Sequence, residues 1–137
     1  MTQEEKQLLL KDLLSRQLYT PIVNIKGIKG YDRKLVSLHR SKTTSEFDVL
    51  VNSDKDEEYL PHTYSIDEIK PYLRSMDSMT DEEKVMYSNY QIIVRRLGLT
   101  FEHNIASTIE WLLERHFDYQ GLIEKGLAIE AKEGIYN

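Results

Sequence analysis

Cysteine is absent from this sequence, which excludes a disulfide framework, a thiolate metal site, an iron–sulfur cluster and a cysteine nucleophile. Long apolar runs are absent too. None exceeds three residues, as at residues 8–10, so we expect no bilayer-spanning helix. Glycine (6) and proline (3) are sparse, which excludes collagen-like and low-complexity chains. The first residues are acidic where a signal peptide needs a basic start, and we predict a cytoplasmic protein.

The composition is that of an ordinary folded domain. The chain has 137 residues, 40% of them hydrophobic and 30% charged, which predicts one domain over residues 1–137 with a core of its own. Its net charge of −5 is mild, but the charge is unevenly distributed. Residues 26–42 have a local balance of +5, and residues 46–68 have one of −7.

Three segments carry helix signals. Thr2 with Glu5 forms a capping box before leucines at helical spacing, which predicts a helix over residues 2–16. Thr80 and the three acids after it begin a second helix, which stops at Gly98. A third helix begins near Asn104 or Ser107, and its apolar stripe continues to His116 and Phe117. The predicted stripe of the second helix consists of Met86, Tyr90, Ile93, Val94 and Leu97.

Strand signals lie between the first two helices. Residues 22–26, 34–40 and 47–51 are predicted as consecutive strands, with Val36 and Leu38 on one face of the second. Polar residues 41–45 predict a turn, and residues 52–58 a charged surface loop.

Two later segments complete the predicted sheet. Ser65 with Glu68 is a second capping box, which Pro71 limits to about one helical turn. Residues 71–74 predict an extended segment or an edge strand, and residues 127–130 a final strand or an extended tail.

These elements predict an α+β fold: a small antiparallel β meander, barrel-like if it curls far enough, packed by an N-terminal helix and two C-terminal helices. An open sheet with helices on one face is the alternative.

Catalytic and metal-binding patterns are weak. The four histidines, His39, His62, His103 and His116, are isolated in sequence, so we predict no metal and no cofactor. His116 and Asp118 are two residues apart and would point away from each other on a helix, which argues against a general base with its orienting acid. We expect His116 to be a half-buried residue at the C-terminal end of a helix, where the helix dipole favours its charge.

The basic segment is the main functional clue. Its side chains would gather on a strand–turn–strand unit with Tyr31 at the turn, as a single-stranded nucleic-acid site requires. The alternative is a solvated hairpin whose lysines protect a sheet edge. The binding candidates of this segment are Lys26, Lys29, Tyr31, Arg33, Lys34 and Arg40, with Lys42 completing the charge cluster.

Three stretches of the sequence resemble a group of uncharacterised small proteins from Bacteroides and its relatives. They are TQEEKQLLLKDL at residues 2–13, IKPYLRSM with SMT at 69–80, and HFDYQGLIEKGLA at 116–128. The resemblance implies a bacterial accessory protein of a prophage or another mobile element and assigns no activity. Packing explains Arg74, Asp118 and Tyr119 least well within these stretches, and we add them as binding candidates.

The leading functional hypothesis is a non-enzymatic interaction module. It would bind a protein partner through tyrosines of the sheet or through the acidic residues 46–68. Nucleic-acid binding through residues 26–42 is the second hypothesis. A small hydrolase or metal enzyme is the third.

Overall fold

The computed structural model describes residues 1–40, 47–51, 62–97 and 101–136, and for residues 47, 91–97 and 101–105 it describes the backbone alone. The helices are α1 (Gln3–Arg16), α2 (Asp81–Leu97) and α3 (Phe101–Glu114). The strands are β1 (Ile22–Ile25), β2 (Asp32–Arg40), β3 (Phe47–Val51), β4 (His62–Ser65), β5 (Ile69–Leu73) and β6 (Ile129–Glu130). The predicted α+β class is confirmed.

Helix α1 begins at the predicted capping box. The Thr2 hydroxyl accepts a hydrogen bond from the Glu5 N–H (3.1 Å), and the Glu5 carboxylate accepts one from the Thr2 N–H (2.7 Å). Leu9 and Leu13 are fully buried and join the core cluster formed with the sheet. The helix ends at Arg16, as predicted.

The strands form one sheet in the order β4-β3-β2-β1-β5-β6. Strands β1 to β4 pair in sequence order and antiparallel, so the predicted meander is confirmed. Strand β5 returns antiparallel to the other side of β1, and β6 lies parallel to β5. The sheet is open and does not close into a barrel.

The two faces of the sheet differ in character. Cross-strand partners share a face, and Val23 lies opposite Arg33 while Ile22 lies opposite Lys34. Val23 and Arg33 belong to the face of the sheet that packs against the leucines of α1. Lys34 is exposed on the opposite face. The buried residues of the helix-facing side are Val23, Ile25, Leu35, Val49, Val51, Ile69 and Leu73.

The predicted shared face of Val36 and Leu38 is wrong. The register between β2 and β3 shifts between Leu35 and Ser37, which makes Val36 the extra residue of a β-bulge. Val36 is consequently exposed, whereas Leu35 is buried and Leu38 packs against the core. A bulge changes the period-2 alternation on which the prediction relied.

Strand β5 is confirmed, but the prediction that it lies at the edge is wrong, because β6 pairs with Tyr72 and Leu73 on its outer side. Pro71 fits this inner strand for a geometric reason. The Lys26 N–H donates to the Glu68 carbonyl (2.6 Å), and hydrogen-bonded pairs alternate along an antiparallel ladder. Pro71, opposite Val23, is therefore at a position that needs no N–H towards β1.

Helix α2 begins at Asp81 with a capping box between Thr80 and Glu83. Of its predicted stripe, Tyr90 is confirmed as facing inward and Met86 is wrong, because Met86 is exposed and the other inward positions are Glu83 and Tyr87. The other stripe members, Ile93, Val94 and Leu97, have side chains outside the described residues.

Helix α3 begins three residues before Asn104, at Phe101, and ends at Glu114. His116 and Phe117 therefore lie beyond the helix, and not on it as predicted. A second small core consists of Met79 before α2, Trp111 and Leu112 of α3, and Phe117 after α3, and Tyr87 and Tyr90 of α2 pack against it.

Some predicted elements lie outside the described residues: the turn at 41–45, the loop at 52–58 and the stop at Gly98. The one-turn helix after Ser65 is confirmed as a 3₁₀ turn. Within the described ranges, no helix combines the length and the apolar character needed to cross a bilayer.

Candidate functional site

Two consecutive tight turns connect β1 to β2 and position the predicted basic segment. Lys26 and Gly27 both have positive φ (55° and 69°), as a type I′ turn requires. In the second turn Gly30 has a φ of 81°, and the Tyr31 N–H donates to the Ile28 carbonyl (3.0 Å). These turns fix Lys26 and Tyr31 at one end of the sheet.

Tyrosines and cations meet at this end. The hydroxyls of Tyr31 and Tyr64 are hydrogen-bonded (2.6 Å), and their rings are perpendicular with centroids 6.4 Å apart. The Arg33 guanidinium lies over the Tyr31 ring (4.5 Å), and the Lys26 ammonium lies near the Tyr64 ring (5.7 Å). We call Lys26, Lys29, Tyr31, Arg33 and Tyr64 the sheet-end surface.

Tyr64 is neutral at physiological pH. The hydrogen bond with Tyr31 and burial raise the pKa of Tyr64 above its usual value. The pair therefore supplies rigid aromatic area with hydroxyl donors, while Arg33 and Lys26 supply the charge.

The predicted basic segment does not form one patch. Lys34 follows Arg33 on β2 and lies on the opposite face of the sheet. Arg40 pairs with Phe47 at the far end of β2, roughly 20 Å from Arg33 at about 3.3 Å per residue. Lys42 lies outside the described residues. The structure brings Lys26, Tyr31 and Arg33 together, with Lys29 in the adjoining turn, and it separates Lys34 and Arg40 from them.

Arg74 is part of a second cluster. It follows the last residue of β5, at the end of that strand that lies away from the sheet-end surface. Its guanidinium donates to both carboxylate oxygens of Glu83 (2.6 and 2.9 Å) and lies over the Phe117 ring (4.2 Å). Glu83 also accepts from the Thr80 N–H (3.0 Å). The Arg74 hydrogen bonds, opposed by burial, hold the pKa of Glu83 at about 2.

Asp118 and Tyr119 have internal contacts. The buried Asp118 carboxylate accepts from the Leu122 and Ile123 N–H groups (2.8 and 2.9 Å) and closes the turn that follows. Tyr119 packs against the Arg16 guanidinium (5.8 Å). Neither residue lines the cleft described next, and only the Asp118 N–H contacts Arg74, by donating to the Arg74 carbonyl (2.8 Å).

A cleft of about 780 Å³ opens between the start of α2, the end of α3 and residues 131–136. We call it the C-terminal cleft. Its less exposed polar lining residues are Glu83, which is buried, and Arg74, Arg115, His116 and Tyr136, which are partly buried; we call these five its inner part. Its exposed rim carries Glu82, Glu114, Lys132 and Glu133.

His116 and Tyr136 close one wall of the cleft. Their rings stack almost in parallel with centroids 3.6 Å apart. The Tyr136 hydroxyl accepts from the Ile22 N–H (3.0 Å) and donates to the Tyr72 carbonyl (2.6 Å), bridging β1 and β5 where their ladder ends. Burial, with the charges of Arg16 and Arg74, lowers the pKa of His116 to about 4. The expectation that a helix dipole favours its charge is wrong, because α3 ends before His116.

We expect His116 to stay neutral in the folded protein until the pH falls to about 4, as followed by NMR of its ring carbons. The folded-state pKa lies below the unfolded value of about 6.5, so this group lowers stability as the pH falls between those values. Tyr136→Leu should expose the ring and move the midpoint upwards. A folded-state midpoint near 6.5 would contradict the described burial.

Sequence reasoning missed four site residues. The sequence indicated Glu83 only as an acid in the first turn of the second helix, three residues after Thr80. Its ion pair with Arg74 depends on the tertiary fold. Tyr136 and the tyrosine partner Tyr64 are distant in sequence from the residues they contact, and so is Arg115 from Glu83, although Arg115 also contacts Trp111 four residues earlier. Only strand register and the returning C-terminal tail bring them together.

The described residues contain no group of three or more potential metal ligands. Comparison with known proteins adds no assignment: no family model, no curated protein and no solved structure matches this chain.

Proposed function

We propose that this protein is a non-enzymatic interaction module that binds an acidic segment of a protein partner through the sheet-end surface. The observation that carries the proposal is the tyrosine pair Tyr31–Tyr64, locked by a 2.6 Å hydrogen bond and flanked by Arg33 and Lys26. Tyrosine and arginine are the residue types enriched at the energetic centres of protein interfaces.

The arrangement supports binding because it is ordered before a partner arrives. The tyrosine hydroxyls hold each other, and Arg33 is restrained by the Tyr31 ring and by a hydrogen bond to the Asp32 carbonyl (2.6 Å). Ordering these side chains during binding would otherwise reduce affinity. Ile28, about half exposed at the tip of the turn, adds an apolar contact beside the cations.

Charge favours an acidic partner segment. Lys26, Lys29 and Arg33 give the surface three positive charges. The Glu68 carboxylate near the Lys26 ammonium (4.0 Å) offsets one of them and leaves the surface net positive. In the alternative docking region, the acidic residues 46–68, five of the eight acidic side chains lie outside the described residues, so the structure supplies no geometry for that acidic cluster.

Nucleic-acid binding is the second candidate, supported by the same three cations. It ranks second for two reasons. Arg33 already covers one face of the Tyr31 ring, on which a base would stack, and Lys34 and Arg40 lie away from the cluster. A hydrolase or metal enzyme ranks third, because His116 and Asp118 form no mutual hydrogen bond in the described structure and Asp118 caps a turn.

We expect Arg33→Glu to weaken partner capture by tagged protein more than about tenfold, because it reverses the central charge of the surface. Lys34→Glu is the matched control. It makes the same charge change one residue along β2, but on the opposite face, and it should change capture less than about twofold. Quantitative mass spectrometry of the captured proteins measures both.

Equal losses for the two variants would indicate a response to overall charge and would contradict the proposed surface. Binding that disappears after nuclease treatment, and falls steeply with salt in the wild type, would favour the nucleic-acid alternative.

A further inference from the structure

Of the two arginines that line the C-terminal cleft, Arg115 has the less committed hydrogen-bond donors. Its closest approach to Glu83 is 3.6 Å, which is too long for a hydrogen bond, and Arg74 already takes both oxygens of that carboxylate. The structure gives the Arg115 side chain no hydrogen bond to any described residue. Its guanidinium is held in place over the Trp111 ring (5.2 Å).

The charges of the cleft are layered. In the inner part Arg74 and Glu83 cancel, and His116 and Tyr136 are neutral at pH 7, so Arg115 leaves one net positive charge there. On the rim, three glutamates outnumber Lys132 and leave two net negative charges. A ligand that complements these charges has a single anionic group at the inner part of the cleft and a cationic group at its rim.

We propose that the C-terminal cleft binds a carboxylate at Arg115, in a ligand whose positively charged group contacts the glutamates of the rim. A planar carboxylate matches the two-donor fork of arginine. The negative rim disfavours phosphate and other multiply charged anions. A basic amino acid and the C-terminal end of a basic peptide both have this chemistry, and a cleft of about 780 Å³ has room for either.

The inference is independent of the proposed partner surface. Along the β1–β5 pair, Ile25 lies opposite Ile69 at the turn end, and Arg74 follows β5 at the other end. Five residues of extended chain separate the two ends by roughly 17 Å. Arg115 variants should therefore leave partner capture unchanged, and Arg33 variants should leave ligand binding in the cleft unchanged.

Trp111 provides a specific reporter. It is the single tryptophan of the chain, so its indole N–H gives one cross-peak in a ¹H–¹⁵N spectrum. Because Arg115 lies against the ring, a carboxylate that binds Arg115 should shift this cross-peak as it saturates.

The experiment titrates the full chain with N-acetyl-lysyl-alanine, which has one carboxylate and one side-chain ammonium. We expect a saturable shift of the Trp111 cross-peak at millimolar or lower concentration. Arg115→Gln should weaken binding roughly 10- to 100-fold through loss of charged hydrogen bonds. Arg115→Lys keeps the positive charge but loses the paired donors of the guanidinium, so its affinity for the dipeptide should lie between those of the wild type and Arg115→Gln. Arg33→Gln is the control outside the cleft.

Four further probes separate the parts of the proposal. The C-terminal amide of the dipeptide should bind at least tenfold more weakly, and N-acetyl-glutamyl-alanine and inorganic phosphate should bind more weakly than the lysine compound. Free L-lysine tests the amino-acid source, and tighter binding than the dipeptide would identify that source. The variant Glu82→Gln with Glu133→Gln should reduce the preference for lysine over glutamate.

Equal binding of acid and amide, or binding unaffected by Arg115→Gln, would overturn the carboxylate site. Phosphate binding tighter than the dipeptide would overturn the assigned ligand class. The absence of any saturable shift with both lysine and the dipeptide would overturn the inference as a whole.

Discussion

Replacing Arg16 by methionine is expected to lower the free energy of unfolding by about 3–5 kcal/mol. Arg16 and Asp12 are both fully buried, and their side chains form two hydrogen bonds (2.7 and 3.1 Å). Without Arg16, the Asp12 carboxylate retains, among the described residues, only the hydrogen bond donated by the Gln120 side chain (3.3 Å). The Phe117 carbonyl loses the hydrogen bond that Arg16 donates to it (2.7 Å). Burial already raises the pKa of Asp12 against the opposing effect of Arg16. Urea unfolding at pH 7 measures the loss.

Two further variants test the physical reason. Asp12→Leu with Arg16→Met removes both charges and should lose less stability than Arg16→Met alone, because no buried charge stays unpaired. Asp67→Asn breaks the more exposed ion pair with Lys6 (3.0 Å) and should change stability by less than about 1 kcal/mol. A loss below about 1 kcal/mol for Arg16→Met itself would contradict the described burial.

The second large effect is a pH-dependent difference between wild type and Glu83→Gln. The pKa of Glu83 is lowered from 4.5 to about 2, which corresponds to about 3 kcal/mol of stability supplied by its ionised form. Because the folded-state pKa is the lower one, this stability is present above about pH 5 and is lost as the pH falls towards 2. The gap in unfolding free energy should therefore be about 3 kcal/mol at pH 7 and close at pH 2.

Glu82→Gln is the matched control for this series. Glu82 is the neighbouring residue in the same helical turn, but it is exposed, and Glu82→Gln should change the free energy of unfolding by less than about 1 kcal/mol. His116 titrates in the same pH range and feels the charge of Arg74, so its titration is followed by NMR in each variant and separated from that of Glu83. A constant gap for Glu83→Gln from pH 7 to 2 would show that the Arg74 pair does not stabilise the ionised carboxylate.

Local signals predicted most of the fold. A capping box placed the start of α1, a cap residue followed by acids placed the start of α2, and alternation of apolar residues placed β3, because these signals depend on residues within one turn or one strand. The errors came from long-range geometry. The bulge at Val36 depends on pairing with β3, and the inner position of β5 depends on a strand formed more than fifty residues later.

The candidate sites were predictable only in part. The local charge balance predicted Lys26, Lys29 and Arg33 correctly as members of one cluster. Lys34 lies on the opposite face of the sheet because side chains alternate along a strand, and Arg40 lies far from the cluster at the other end of β2. The contacts between Arg74 and Glu83 and between His116 and Tyr136 required the tertiary structure. The resemblance to uncharacterised Bacteroides proteins stays a prediction, since no match to a known protein tests it.

Capture of partners by the tagged protein from a cell lysate, with and without nuclease, should be compared between the wild type and Arg33→Glu. We expect a protein partner that survives nuclease and is lost with Arg33→Glu. Recovery of nucleic acid, or a partner held equally well by Arg33→Glu, would contradict the claim that the sheet-end surface binds a protein.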